Sequence, residues 1–288
     1  MSLIKFEILN KVAEVKSFTQ AAEVLGLTQS AVSHAITNLE TEFGFPLVNR
    51  NRLGISLTSE GEILLLTIRK VLHYYEQVQQ EAASIAGLTK GTIKVGVFTS
   101  VSTIWLPEII KLMQTDYPDI RIELMEGNYF EIEQWLLGGV IDCGFINVRY
   151  SQKFDVIPLK DDRLLCIVSD KSELYNNETI SFKELEKQWF IMPAFGGYHD
   201  VKRIFKENKV QPKIRFELMG ENAIMSMVAN LLGISILPEM VLQSLLPQLR
   251  AIPLEVDSYR SIGLATRYNL SPAARKFAEV TKSWVSML

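Results

Sequence analysis

Residues 17–61 read SFTQAAEVLGLTQSAVSHAITNLETEFGFPLVNRNRLGISLTSEG, and the reading of this stretch decides the fold. Phe18, Ala21, Ala22 and Leu25 recur at helical spacing, with Thr19 expected to cap the start. Gly26 offers the left-handed backbone at which a helix stops and the chain turns. Thr28 is expected to cap a second helix reaching Phe43, whose inner stripe is Val32, Ile36 and Leu39. Its other face carries Gln29, Ser30, Ser33, His34 and Thr37, short donors and acceptors of the kind that read base edges in a major groove. A helix, a glycine turn and a polar-faced helix make the helix-turn-helix arrangement. Beyond Gly44 and Pro46, Leu47–Leu57 reads as a small hairpin bringing Arg50 and Arg52 to phosphates, as a wing does.

Particular residues go further than spacing. Ala21-Ala22, Leu27-Thr28-Gln29-Ser30-Ala31-Val32-Ser33, Leu39-Glu40, Phe43-Gly44, Pro46-Leu47, Arg50 and Leu57-Thr58-x-x-Gly61 resemble the amino-terminal signature of LysR-type transcriptional regulators. Val48 departs from that pattern, which usually has Phe before the wing arginine, and is expected to alter packing under the wing.

The remaining composition suits a soluble protein of two or three domains. The chain has 288 residues, 48% hydrophobic and 22% charged. No apolar run approaches the roughly 20 residues that span a bilayer. Lys5, Glu7 and Lys11 interrupt any secretory pattern, so the cytoplasm is the expected location and no membrane partner is expected. Cys143 and Cys166 sit in apolar runs and are expected to be buried, inert thiols. A formal charge of −3 denies the chain a broadly basic footprint. Affinity for DNA would then rest on the wing arginines, helix amino termini and duplication by dimerisation.

After Thr58 a long helix is expected, carrying Leu64, Ile68, Val71, Tyr75, Val78, Ala82 and Ile85 in alternating steps of four and three. Such a heptad seam predicts a dimerising linker helix, as the LysR resemblance also implies. Ala86–Gly91 reads as a hinge. Past it, strands and helices alternate: a strand at Ile93–Val97, a helix over Ile104–Tyr117 with Pro107 in its first turn, and a buried strand at Ile141–Ile146. The theme repeats beyond Leu164. The motifs Leu106-Pro107, Glu126-Gly127, Leu137-Gly-Gly-x-x-Asp142 and Leu232-Gly233-Ile234-x-x-Leu237-Pro238 resemble the effector domain of the same family, which is similar in fold to periplasmic solute-binding proteins.

The expected fold is therefore α/β with an all-α amino-terminal part: a winged helix-turn-helix over residues 1–60, a linker helix and hinge over 61–90, and a two-lobed periplasmic-binding-protein-like effector domain over 91–288. Lobe I is expected at 91–161 and 267–288, lobe II at 162–266. Ligands of open α/β sheets bind beyond the carboxyl ends of strands. This selects Thr99, Ser100 and Ser102 after the first strand, Asn128 and Asn147 after later ones, and Gly197 and Tyr198 in a glycine loop with Gly196. No Lys or Arg falls within Thr99–Thr103 or Ala194–His199, so a small anionic metabolite held by hydroxyls and backbone N–H groups is expected.

Catalysis is not expected. The three histidines are His34, His73 and His199, and no zinc spacing, phosphate loop or nucleophile elbow is present. No metal and no cofactor is expected. The expected function is a sequence-specific transcription regulator, with Thr28, Gln29, Ser30, Ser33, His34 and Thr37 at the bases and Arg50 and Arg52 at phosphates. The resemblance implies double-stranded promoter DNA bearing an interrupted palindrome, a homodimer or homotetramer, and RNA polymerase as partners. For residues 91–288 the alternative is a solute-binding protein without a regulatory role, against which the missing export signal and the amino-terminal module both count.

Overall fold

The computed structural model describes residues 2–51, 54–151, 154–194, 198–266 and 270–288. It divides into two units, the first running to Gly91 and including Leu137–Val140, the second holding Thr92–Leu136 and Ile141–Leu288.

The first unit opens with three helices, α1 (Leu3–Val15), α2 (Phe18–Leu25) and α3 (Gln29–Phe43). Their spacing is 3.6-periodic, and the inward residues close one core: Leu9 and Val12 from α1, Ala21 and Ala22 from α2, Val32 and Ile36 from α3. Ile4 is 54% exposed, whereas Leu9 is fully buried. The α2 cap is Ser17, not Thr19: Ser17 has extended backbone and its Oγ accepts from the Gln20 N–H at 3.3 Å. Gly26 ends α2 at φ +66°, and the Leu27 N–H returns to the Ala22 carbonyl, which makes the turn tight. Thr28 caps α3 through the Ala31 N–H at 3.2 Å.

Strands β1 (Val48–Asn51) and β2 (Gly54–Leu57) form the wing, with Val48 opposite Leu57. Glu40 of α3 accepts the Leu47 N–H at 2.8 Å and the Val48 N–H at 3.2 Å, fastening the wing's root to the helix. Val48 packs in the shared core. Thr58 then caps α4 (Ser59–Ile85), accepting from the Gly61 N–H and donating to the Pro46 carbonyl, both at 2.9 Å. Gly61 has to be glycine, because a Cβ there would stand 2.2 Å from the Leu47 carbonyl oxygen. The heptad seam expected along α4 is split. Leu64 and Ile68 pack into the three-helix core, whereas Val71, Tyr75 and Val78 are exposed at 39, 42 and 62%. Ala82 is exposed too, and Ile63, Leu66 and Tyr74 add to the uncovered apolar surface.

The second unit alternates strands and helices: β3 (Gly91–Val97), α5 (Thr99–Ile104), α6 (Leu106–Asp116), β4 (Ile120–Glu126), α7 (Tyr129–Leu137) and β5 (Cys143–Asn147). The helix expected over Ile104–Tyr117 runs over Leu106–Asp116, and the stretch before it, Thr99–Ile104, is a short helix of its own, set off at Trp105. The 15-residue β6 (Asp155–Ser169) follows, then α8 (Phe182–Leu185), β7 (Trp189–Pro193), α9 (Tyr198–Glu207), β8 (Lys213–Leu218), α10 (Glu221–Ala229) and β9 (Ser235–Pro238). The unit ends with β10 (Leu249–Pro253), β11 (Tyr259–Thr266) and α11 (Pro272–Val285).

Strands β4, β3, β5, β11 and the first half of β6 lie side by side, with β3 parallel to β5 and β11 antiparallel to both its neighbours. The second half of β6 pairs instead with β9 and β10, and an isolated bridge from Phe190 to Ile234 leads on to the parallel pair β7–β8. Two lobes therefore share β6. Trp105, Phe145 and Phe277 make edge-on ring contacts in the core of one, and Phe190 and Phe205 in the other. Tyr259–Thr266 belongs to the first lobe through β11, so the chain returns before Tyr259 and not after Thr266 as expected. Hydrophobic alternation marks a strand without saying which sheet receives it.

Candidate functional site

Two surfaces carry the residues singled out in the sequence. On α3, burying Val32, Ile36 and Leu39 leaves Thr28, Gln29, Ser30, His34 and Thr37 exposed, with Ser33 half-buried. Thr28 and Ser30 join hydroxyls at 3.0 Å, and His34 Nδ1 lies 3.1 Å from the amide nitrogen of Asn38, a residue on the same face that sequence reasoning passed over. Arg50, on β1, reaches back across this face. Its guanidinium donates to Thr37 Oγ1 at 3.2 Å and Ser33 Oγ at 3.5 Å, stacks 5.1 Å from the Phe18 ring centre, and lies 3.9 Å from a Glu40 oxygen. Half its side chain remains open to water. Wing and helix thus form one polar surface with a cation at its centre. Arg52 lies outside the described residues.

The second surface is a cavity of about 260 Å³ between the two lobes of the carboxy-terminal unit. Of the residues expected to bind an effector, Thr99, Ser100 and Asn128 line it. Ser102, Asn147 and Tyr198 do not. The Ser102 hydroxyl donates to the Thr99 carbonyl at 2.9 Å and so serves its own helix. Tyr198 packs on the second lobe's core and accepts from Lys202 Nζ at 3.3 Å. Gly196 and Gly197 lie outside the described residues. The walls are apolar on both sides: Phe98 from the first lobe, Leu218, Ile224, Leu237 and Pro238 from the second.

Arg260, on β11, forms the floor and was missed by sequence reasoning. Its Nε donates to Asp162 at 2.8 Å, Nη1 to the Tyr129 hydroxyl at 3.0 Å and Nη2 to Ser100 Oγ at 2.7 Å, while its guanidinium sits 5.2 Å over the Phe98 ring. Arg260 and Asp162 are an ion pair with side chains 4% and 3% exposed. Burial disfavours the charged guanidinium, but Tyr129 and Asp162 beside it outweigh that and hold its pKa above the ordinary value. Burial pushes the Tyr129 phenol up to about 12 against the pull of Arg260. No Lys or Arg falls within the two loops, as the sequence shows, yet Arg260 brings a cation to the cavity from outside them. The cation comes from a strand 160 residues after Ser100, where a search of neighbouring loops could not find it.

Asn147 does different work. Fully buried at the end of β5, it donates its amide to both oxygens of Asp200 on α9 at 3.0 Å, and the Tyr150 hydroxyl donates to the same carboxylate at 3.2 Å. Burial raises the Asp200 pKa, with Arg260 and these bonds opposing. These contacts latch one lobe to the other. Cys143 and Cys166 are free and buried, and burial pushes both thiols up, Cys166 to about 12, so neither is held as a reactive thiolate. Among the described residues no cluster of metal-ligating side chains occurs, and no helix is long and apolar enough to cross a membrane.

Residues 3–62 match the family model for the bacterial regulatory helix-turn-helix protein, lysR family, and residues 86–286 match that for the LysR substrate binding domain. The chain belongs to the LysR family of transcriptional regulators. It is 33% identical over 98% of its length to the HTH-type transcriptional regulator YvbU of Bacillus subtilis, covering 98% of that protein. It is 28% identical over 92% of its length to the probable regulator LrrA of Synechococcus elongatus, 90% of which is covered. Among solved structures, a full-length OxyR variant from Pseudomonas aeruginosa superposes with a TM-score of 0.80 at 22% identity, covering all of this chain and 95% of that one. Full-length BenM matches with a TM-score of 0.63 at 26% identity, over 100% of this chain and 97% of its own. As a LysR-type regulator, the protein combines a DNA-binding helix-turn-helix with a substrate-binding domain.

Proposed function

We propose that this regulator reads an interrupted palindrome as a homodimer or a pair of dimers, through the α3 face and the wing. The observation that carries the reading is the Arg50 cluster: a half-exposed guanidinium held by Ser33 and Thr37 among uncharged polar side chains. Gln29, Ser30, His34 and Thr37 contact base edges, with Thr28 at the helix start, and Arg50 and Arg52 contact phosphates. The solved structure of CbnR, 19% identical with a TM-score of 0.67 over 98% of this chain and 99% of its own, is a complex with its target DNA. That likeness supports the fold of the reading, and the residues are assigned on their own chemistry.

Dimerisation runs along α4 through Val71, Tyr75, Val78 and Ala82, whose side chains the first unit leaves uncovered. Leu64 and Ile68 are withdrawn from that seam, since Ile68 is buried in the three-helix core and Leu64, partly buried, packs against it. A small metabolite bound in the 260 Å³ cavity at Thr99, Ser100 and Asn128 controls the DNA-bound form. RNA polymerase reads the outcome, and the protein works in the cytoplasm without catalysing a reaction. Selection of tight binders from a random duplex pool with the full chain tests the first claim. Two related half-sites about one or two helical turns apart are expected. Selected sequences without dyad symmetry would overturn it.

A further inference from the structure

The cavity's electrostatics point to a ligand class different from the anion that its loop sequences suggest. This rests on the cavity being the effector site. Among the described residues its one lining cation, Arg260, is already neutralised: Asp162 pairs with it inside the protein, and Tyr129 and Ser100 take further guanidinium hydrogens. Three carboxylates also line the space, Glu126, Glu131 and Glu221. Glu131 is committed to its own helix, accepting the Asn128 N–H at 2.8 Å. Glu126 and Glu221 have neither an ion-pair partner nor a hydrogen bond among the described residues. Glu221 stands in the first turn of α10, where the positive end of that helix already faces its own carboxylate. Two lining carboxylates are therefore unbalanced by any described cation, and a carboxylate ligand entering the cavity would meet like charges.

The rest of the lining sets shape and orientation. Phe98, Leu218, Ile224 and Leu237 ask for an apolar body, and a volume of about 260 Å³ lies just below the usual 300–1,000 Å³ of ligand pockets, so that body is small. Ser100 is buried at 4%, and its hydroxyl accepts from Arg260, which leaves the hydroxyl proton to donate into the cavity. We propose that the effector is a small amine, with its ammonium towards Glu126 and Glu221, its apolar body between the lobes, and any acceptor group it carries at Ser100.

Calorimetric titration of the full chain with matched pairs tests this: benzylamine against benzoate, cyclohexylamine against cyclohexanecarboxylate, 3-methylbutylamine against 4-methylpentanoate. At least one amine should bind about tenfold or more tightly than its carboxylate twin. That amine should lose about tenfold in the double variant Glu126→Gln/Glu221→Gln, and all binding should disappear in Leu218→Trp, which fills the cavity; circular dichroism checks that both variants are folded. Preference for the carboxylates, amine binding undiminished in the glutamine variant, or no binding in either series overturns the amine. A carboxylate that binds the parent and is lost in Leu218→Trp overturns the amine and keeps the cavity as the effector site. Binding that survives Leu218→Trp overturns both.

Discussion

The two units each place one arginine at the centre of a functional surface, and they hold it in opposite ways. Arg50 lies on the outside, half-exposed, with hydroxyl partners at 3.2 and 3.5 Å and a carboxylate only at 3.9 Å. Its positive charge is oriented but not cancelled. Arg260 is sealed between the lobes, paired with Asp162 and bonded to Tyr129 and Ser100. Its charge is spent on the fold. The difference separates a cation whose charge stays open to solvent from one that builds a cavity, and a chain of net charge −3 thereby still presents a local positive charge on its wing.

The contrast breaks most sharply at Arg260. Arg260→Ala would leave Asp162 buried without its counter-ion, at a cost of about 3–5 kcal/mol, read as a lower urea midpoint for the full chain. Arg50→Ala should leave that midpoint within about 0.5 kcal/mol of the parent. Its effect should fall instead on DNA, weakening selected and random duplexes alike and flattening the salt dependence of binding. If Arg260→Ala unfolds like the parent, the pair is not the structural element described here.

A second, somewhat smaller effect separates the two ends of α4. Val78→Glu would bury a charge in the subunit contact, costing association several kcal/mol while sparing the three-helix core. Sedimentation should then move towards monomer with the thermal transition of the first unit unchanged. A dimer undisturbed by this change would put the contact elsewhere. Within the DNA surface, Gln29→Ala should cost about 1–3 kcal/mol on the selected sequence and relax one base in each half-site. Gel-shift titrations compare it with Arg50→Ala: equal losses on selected and random DNA for Gln29→Ala would mean that it touches phosphate and not base.

The same pair of regions shows what a linear sequence carries. The α3 face was legible because helix period, capping threonine and glycine turn are local, and burial of Val32, Ile36 and Leu39 fixes the opposite side. Even there, a choice between two hydroxyls two residues apart went to Ser17, whose extended backbone lets it reach the Gln20 N–H. The α4 heptads were real in spacing, yet Ile68 and Val78 meet different partners, and periodicity does not name a partner. The cavity was hardest. Ser100 and Asn128 follow strands, as the rule for open sheets predicts, but Arg260 and Asp162 reach them only because β11 returns to the first lobe beside β6. Asn147 obeyed the same rule and was claimed by Asp200 instead.

That last pairing yields the smallest and most specific expectation. Asp200 is fully buried, accepts from Asn147 and Tyr150, and has a pKa raised chiefly by burial. A carboxyl that holds its proton more tightly when folded contributes stability that is complete below its ordinary value of 3.8 and is lost as pH rises through the higher folded value. Asp200→Asn removes the titration, exchanges a charged acceptor for a neutral one, and should change stability near neutrality by no more than about 1 kcal/mol. The facing groups are Arg260, Arg203, Tyr150 and Asn147, with the His199 ring 5.7 Å from that of Tyr150. Thermal transitions followed upwards from the ordinary value of 3.8 should show the parent losing stability relative to Asp200→Asn as pH rises. Parallel curves would mean that the carboxylate is as well solvated by its latch partners as by water, and the lobes would then be joined by a contact indifferent to pH.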